Sequence, residues 1–127
     1  MSNIITSIEK IDNTTEYSVI LAKGLTSEVA AVGKGQIWSG SMWIPWIGQS
    51  SENDKVITIT GGPAKQSKAF LFQDYNDDKI KYGTGKSFNY DNKDNIVEVR
   101  GDSAAGRRLV LSIDDDNDSF ILTVTKF

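Results

Sequence analysis

The sequence predicts an all-β fold, a single-domain antiparallel β-sandwich or barrel of about 8–10 short strands that spans residues 1–127. Apolar residues alternate with polar ones in short runs, and clusters of Gly, Asn and Asp separate the runs. No segment keeps a helical period for long, and residues 25–32 fit either a single helical turn capped by Thr26 or Ser27 or a loop with a short turn. The chain is long enough to bury a core and contains no cysteine, so no disulfide is needed.

The alternating runs define the predicted strands in chain order. They are Ile4–Ile11, Tyr17–Lys23, Gln36–Ile47, Lys55–Thr60, Lys68–Gln73, Lys79–Tyr82, Ser87–Tyr90, Ile96–Arg100, Arg108–Ile113 and Ser119–Phe127. The polar residues 114–118 lie between the last two strands and predict a tight hairpin turn. One face of that hairpin is predicted to be buried, and it consists of Leu109, Leu111, Ile113, Phe120, Leu122 and Val124.

Residues 36–48 contain all three tryptophans of the chain, Trp38, Trp43 and Trp46. Pro45 lacks an N–H and restricts the preceding residue to extended backbone, so it is expected at a sheet edge or a strand end. Trp38 is predicted to anchor in the core. Trp43 and Trp46 differ in parity along a strand, so at least one of the two rings is predicted to be substantially exposed.

An exposed tryptophan beside small hydrogen-bonding residues suits stacking on a sugar ring or a position among lipid headgroups. The predicted function is therefore a non-enzymatic, lectin-like carbohydrate-binding module, with ligand-binding residues Trp43, Trp46, Trp38, Gln49 and Ser41. One alternative is a membrane-active or toxin-like β-sandwich that binds lipid headgroups. Another is a structural subunit whose tryptophan patch packs against its own copy, giving a homo-oligomer, or against another chain.

Composition excludes several other classes of function. The absence of histidine and cysteine removes the usual general base and the common nucleophile pairs, so no enzymatic activity is expected. A net charge of −3 and a pI near 4.9 argue against nucleic acid as a partner. The first residues lack the basic and apolar regions of a signal peptide, which predicts cytoplasmic synthesis and, for any release, a non-classical route.

The acidic turns suggest calcium as a cofactor, and the sequence suggests no other. If each connection reverses the chain, the turns with Asp77, Asp94 and Asp116 gather at one end of the domain, and Gly-rich, basic loops gather at the other. Candidate calcium ligands are Asp114, Asp116 and Asp118. The competing interpretation is that Asp and Asn are ordinary hairpin-turn residues. An EF-hand is excluded, because Ser119 replaces the required Gly and Thr125 the bidentate Glu.

In size, lack of cysteine and clustered tryptophans, the chain resembles cytosolic lectins and compact toxin folds such as the aegerolysins. This resemblance is one of composition and size, so it implies no particular site residue.

Overall fold

Two β-sheets packed face to face form the computed structural model, which describes residues 5–61, 68–116 and 119–127. Strands account for 59% of the structure and helix for 8%, which confirms the all-β class, and the two sheets do not close into a barrel. The described helices are short 3₁₀ turns, Ser50–Lys55 and Lys93–Asn95, and none is long and apolar enough to cross a membrane. The strands are β1 (Thr6–Asn13), β2 (Val19–Lys23), β3 (Val29–Val32), β4 (Ile37–Trp43), β5 (Trp46–Ile47), β6 (Ile57–Thr60), β7 (Lys68–Asp74), β8 (Lys79–Gly85), β9 (Ile96–Glu98), β10 (Arg100–Gly101), β11 (Arg107–Asp116) and β12 (Ser119–Lys126).

The first sheet has the strand order β10-β12-β11-β1-β4, and the second has the order β3-β2-β6-β7-β8-β9. Most neighbours are antiparallel, but β1 runs parallel to β11, and β10 runs parallel to β12. The short strand β5 also belongs to the second sheet and lies parallel to the end of β7. The architecture is therefore a mainly antiparallel sandwich with three parallel pairings.

The core between the sheets contains the predicted hairpin face. β11 and β12 pair antiparallel with Leu111 opposite Val124 and Ile113 opposite Leu122. The six predicted core residues of this hairpin are all buried, which confirms the predicted register. The second sheet contributes fully buried Leu21, Ile59 and Leu71 to the same core.

The sequence prediction missed one strand and added another, and the predicted strand Ile96–Arg100 divides between β9 in the second sheet and β10 in the first. Residues 29–32 were expected in a loop or a single helical turn, but they form β3, which pairs with β2. The run Val-Ala-Ala-Val buries only Ala30 and Val32, and its exposed residues are also apolar. Inward and outward positions therefore cannot be told apart from the sequence. Ser87–Tyr90 was expected to be a strand, but it is a loop that crosses the outer face of the second sheet. Its alternating aromatics, Phe88 and Tyr90, pack on a second apolar cluster built on Phe70 and Phe72.

The predicted strand Gln36–Ile47 divides at Pro45, where the chain crosses from the first sheet to the second. β4 ends at Trp43 and β5 begins at Trp46. The Ile44 N–H donates to the Thr6 carbonyl oxygen (2.9 Å), and the Pro45 carbonyl oxygen accepts the Gln73 N–H (2.8 Å). Pro45 therefore lies between two strand ends, as its missing N–H predicts.

The acidic turns do not gather at one end of the sandwich. Asp77 lies in the turn that precedes β8, whereas Asp94 lies in the 3₁₀ helix that follows it, so the two are at opposite ends of this strand. The prediction failed because Ser87–Tyr90, which lies between Asp77 and Asp94, was counted as a strand, and this error reverses the assumed direction of every later connection. The missed β3 precedes all three turns, so it does not change their positions relative to one another.

Two of the candidate calcium ligands, Asp114 and Asp116, lie in the last residues of β11. Asp118 falls outside the described residues, and only the backbone of Asp116 is described. The Asp114 carboxylate accepts the N–H of the next residue, Asp115 (2.8 Å), which is a local contact near the end of the strand. Among the described residues, no group of three or more acidic side chains converges on a common point suited to a metal ion. The calcium site stays a prediction.

Candidate functional site

The Pro45 crossover places the three tryptophans in different surroundings. Trp38 is half-buried, packs against the main core and lies over Gly40, where an added Cβ would come within 2.6 Å of the indole ring. Trp43, at the end of β4, is 55% exposed. Trp46, on β5, is half-buried and meets the Tyr75 ring edge-on, with centroids 6.2 Å apart. Of the predicted ligand-binding residues, Trp38 packs against the core, and the other four are divided between two surfaces.

The first surface is the exposed side of β4. Trp43 lies opposite Ser7 of β1, and the Lys23 ammonium is 6.0 Å from the centroid of the Trp43 ring. The Ser41 hydroxyl is within 2.9 Å of the Ser7 hydroxyl, which also donates to the Glu9 carboxylate. This surface therefore offers one exposed ring beside a hydroxyl pair that already has partners.

The second surface is a cavity of about 510 Å³. We call it the Tyr75 pocket, and its walls are Gly48, Gln49, Glu52, Tyr75 and Asn76. The volume is within the roughly 300–1,000 Å³ range of small-molecule sites. Trp46 does not line the pocket, but its ring packs edge-on against the Tyr75 ring that does. Two of the predicted residues, Trp46 and Gln49, are thus brought together with four that the sequence did not single out.

Parallel pairing of β5 with β7 builds the Tyr75 pocket. Trp46 aligns with Gln73 and Ile47 with Asp74, so both strands end at the same edge of the sheet. The Tyr75 N–H continues this ladder by donating to the Ile47 carbonyl oxygen (3.0 Å). Gly48 follows β5 directly, and a Cβ there would come within 2.9 Å of the Tyr75 Cβ. A residue with a side chain at position 48 would clash with Tyr75, so this position requires glycine.

The Glu52 carboxylate supplies the negative charge of the pocket. One oxygen accepts the Gly48 N–H (2.9 Å), and the other accepts a hydrogen bond from the Lys55 ammonium (2.7 Å). The Lys55 bond and, after it, the Gly48 bond lower the pKa of Glu52 and outweigh its desolvation. Glu52 is therefore an ionised hydrogen-bond acceptor at neutral pH.

A buried polar network fixes the turn that carries Tyr75 and Asn76. Asp74 is only 5% exposed, and its carboxylate accepts from the Lys81 ammonium (2.8 Å), the Tyr90 hydroxyl (2.6 Å) and the Asn76 N–H (3.0 Å). The Asn76 side-chain amide donates in turn to the Tyr90 hydroxyl. Burial alone would raise the pKa of Asp74, but the three hydrogen bonds together lower it. The turn is thus held in one conformation before any ligand arrives.

The pocket combines the chemical groups that a sugar ring requires. An aromatic face can stack on the apolar C–H face of a pyranose, and carboxylate and amide groups can pair with its hydroxyls. The sequence did carry one sign of Tyr75, an aromatic residue inside the otherwise polar turn Asp-Tyr-Asn-Asp-Asp. Its partnership with Gln49 depends on the β5–β7 pairing and has no local signature.

The chain matches no protein-family model, no curated protein and no solved structure. The geometry of the Tyr75 pocket is therefore the ground for a functional proposal.

Proposed function

We propose that the protein is a non-enzymatic, lectin-like carbohydrate-binding module that holds a sugar in the Tyr75 pocket. The observation that carries this proposal is the position of the Tyr75 ring, which is 44% exposed and faces a cavity lined by amide and carboxylate groups. An aromatic ring left open to water forgoes hydrophobic stabilisation, and a stacked sugar restores it.

Four side chains at the pocket have roles in the proposed complex. Tyr75 stacks on the C–H face of the sugar, and Trp46 fixes the angle of the Tyr75 ring. Glu52 accepts hydrogen bonds from sugar hydroxyls, and Gln49 offers both a donor and an acceptor. A glycosidase needs a carboxylic acid with a raised pKa, whereas the pKa of Glu52 is lowered. This direction supports binding rather than hydrolysis.

A second candidate function, the binding of lipid headgroups, is supported by the β4 surface. Trp43 is largely exposed, and the Lys23 ammonium lies near its ring. An interfacial tryptophan beside a cation fits the boundary between headgroups and acyl chains. This surface is open, whereas the Tyr75 pocket is concave, and concavity favours a discrete ligand such as a sugar.

Replacing Tyr75 with Ala is expected to weaken sugar binding about tenfold or more, equivalent to about 1.4 kcal/mol of lost stacking. The change should affect folding much less, because the ring is exposed. A glycan array with the native protein identifies a ligand, and titration calorimetry with Y75A measures the loss. Y75F retains the stacking ring and should retain most of the affinity.

The matched control is Trp43→Ala, which removes an exposed ring outside the pocket. W43A should leave sugar binding unchanged, and it should be the variant that loses binding if liposomes prove to be the ligand. A native protein that binds no glycan on the array, or Y75A with native affinity for the sugar found, would refute the carbohydrate proposal.

A further inference from the structure

A second cavity, of about 410 Å³, lies beside the loop that connects β10 to β11. We call it the Lys126 pocket. Three cationic side chains, Lys79, Arg107 and Lys126, contribute to its lining, and Asp102 is the one carboxylate among the lining residues. The protein as a whole has a net charge of −3, so this positive concavity departs from the general charge of the chain.

The three cations come from three different strands. Lys79 begins β8, Arg107 begins β11 and Lys126 ends β12. Backbone bonds hold the loop between them, from the Asp102 N–H to the Val124 oxygen (2.9 Å) and from the Ala105 N–H to the Asp78 oxygen (2.8 Å). The fold thus fixes the shape of the pocket in advance.

The backbone around the pocket adopts conformations that few residues accept. Gly101 and Gly106 have φ of +82° and +103°, and Arg107 has φ of +70°. An added Cβ at Gly101 would come within 2.3 Å of the Val124 carbonyl oxygen. A left-handed conformation is unfavourable for Arg, and such residues concentrate at functional sites. The guanidinium of Arg107 donates to the backbone oxygen of Phe127, which fixes its position.

The positive charge is only partly balanced within the pocket, where three cations face one carboxylate. The Lys126 ammonium donates to the carbonyl oxygens of Ala104 and Gly106, which are neutral acceptors. Burial and, after it, the charge of Arg107 lower the pKa of Lys126, and Asp102 opposes the shift only in part. Among the described residues, Lys79 makes no salt bridge. An anion in the cavity would relieve this repulsion.

We propose that the Lys126 pocket binds a tetrahedral oxyanion, a phosphate or sulfate group that is either free or carried as an ester. Cations that approach from three strands suit an anion with oxygens in several directions better than a flat carboxylate. The Lys126 pocket and the Tyr75 pocket have no lining residue in common, and this second site stands independently of sugar binding in the Tyr75 pocket.

Low-millimolar sodium sulfate or phosphate should raise the melting temperature of the native protein above its value in sodium chloride of equal ionic strength. Lys79→Gln should weaken sulfate binding about tenfold, the loss expected when one charge-assisted hydrogen bond is removed. Asp102→Asn removes the negative charge of the pocket but keeps an acceptor oxygen for the backbone N–H of Lys126. D102N should therefore bind sulfate more tightly than the native protein.

Lys34→Gln is the matched control, because Lys34 is far from the Lys126 pocket. Arg107 pairs with the first residue of β1, whereas Lys34 follows β3 and lies near the last residue of β1. K34Q should respond to sulfate as the native protein does. Sulfate also stabilises proteins in general by exclusion from their surfaces, and equal responses of K79Q and K34Q would assign the whole effect to that cause and overturn the proposal. A sulfate response no larger than the chloride response would overturn it as well.

The source of the anion is separated by three probes, which are inorganic phosphate, a sugar phosphate ester and vesicles that contain phosphatidylglycerol. The source is the probe that binds the native protein most tightly, provided that its affinity falls in K79Q and does not fall in K34Q. Binding of all three that is insensitive to K79Q would place their contacts elsewhere and refute the site.

Discussion

Replacing Leu122 with Ala is expected to destabilise the native protein by about 2–5 kcal/mol, the usual range for a buried leucine. Leu122 is 0% exposed and lies opposite Ile113 in the β11–β12 hairpin. Its removal takes apolar contacts from the centre of the core, and the neighbouring strands are held by their hydrogen-bond ladders and cannot close the space. Urea denaturation followed by fluorescence measures the free energy of unfolding.

Thr125→Ala provides the matched control on the same strand. Thr125 is exposed, so T125A should change the free energy of unfolding by less than about 0.5 kcal/mol. A cost for L122A no greater than that of T125A would show that the hairpin register is wrong.

Asp74→Ala is expected to cost about 2–3 kcal/mol of stability. The carboxylate is the common partner of Lys81, Tyr90 and the Asn76 backbone. Its loss leaves the mostly buried Lys81 ammonium with the exposed Asp77 as its remaining ion-pair partner among the described residues. Breaking a fully buried ion pair costs roughly 3–5 kcal/mol, and partial exposure of Lys81 reduces this figure. Asp91→Ala, at an exposed carboxylate, should change stability little.

The contribution of Asp74 should also depend on pH in a definite direction. Its native pKa is below the ordinary value of 3.8, so the unfolded chain takes up a proton before the native protein does. The stabilisation is therefore fully present above pH 3.8 and is lost as the pH falls through the lowered native pKa. Acid denaturation curves of native protein and D74A should converge at low pH. Curves that stay parallel through this range would contradict the role assigned to the carboxylate.

The parts of the fold that the sequence predicted are those with strong local alternation. Leu109 to Ile113 and Phe120 to Val124 each bury every second side chain, so both strands and their register were visible. β3 lacked this contrast, because its inward residues are only Ala30 and Val32. Phe88 and Tyr90 alternate for a different reason, since both pack on Phe70 and Phe72 from a loop.

The candidate site was also predictable only in part, because only some of its residues belong to a local sequence pattern. Trp46 and Gln49 stood out because they lie in or beside the tryptophan segment. Tyr75 and Asn76 come from a turn after another strand, and the pairing of β5 with β7 that joins the two segments leaves no periodic signal. Long-range parallel pairing, including that of β1 with β11, depends on the whole topology.

The carbohydrate proposal makes a specific claim about which tryptophan senses the ligand. Two variants isolate the relevant rings: W38F/W43F retains Trp46, which touches Tyr75, and W38F/W46F retains the exposed Trp43. Each is titrated with the sugar found on the glycan array while its fluorescence spectrum is recorded. The spectrum of the protein that keeps Trp46 should shift with the sugar, and the spectrum of the protein that keeps Trp43 should not. A shift confined to the protein that keeps Trp43 would place the ligand on the β4 surface and contradict the assignment of the Tyr75 pocket.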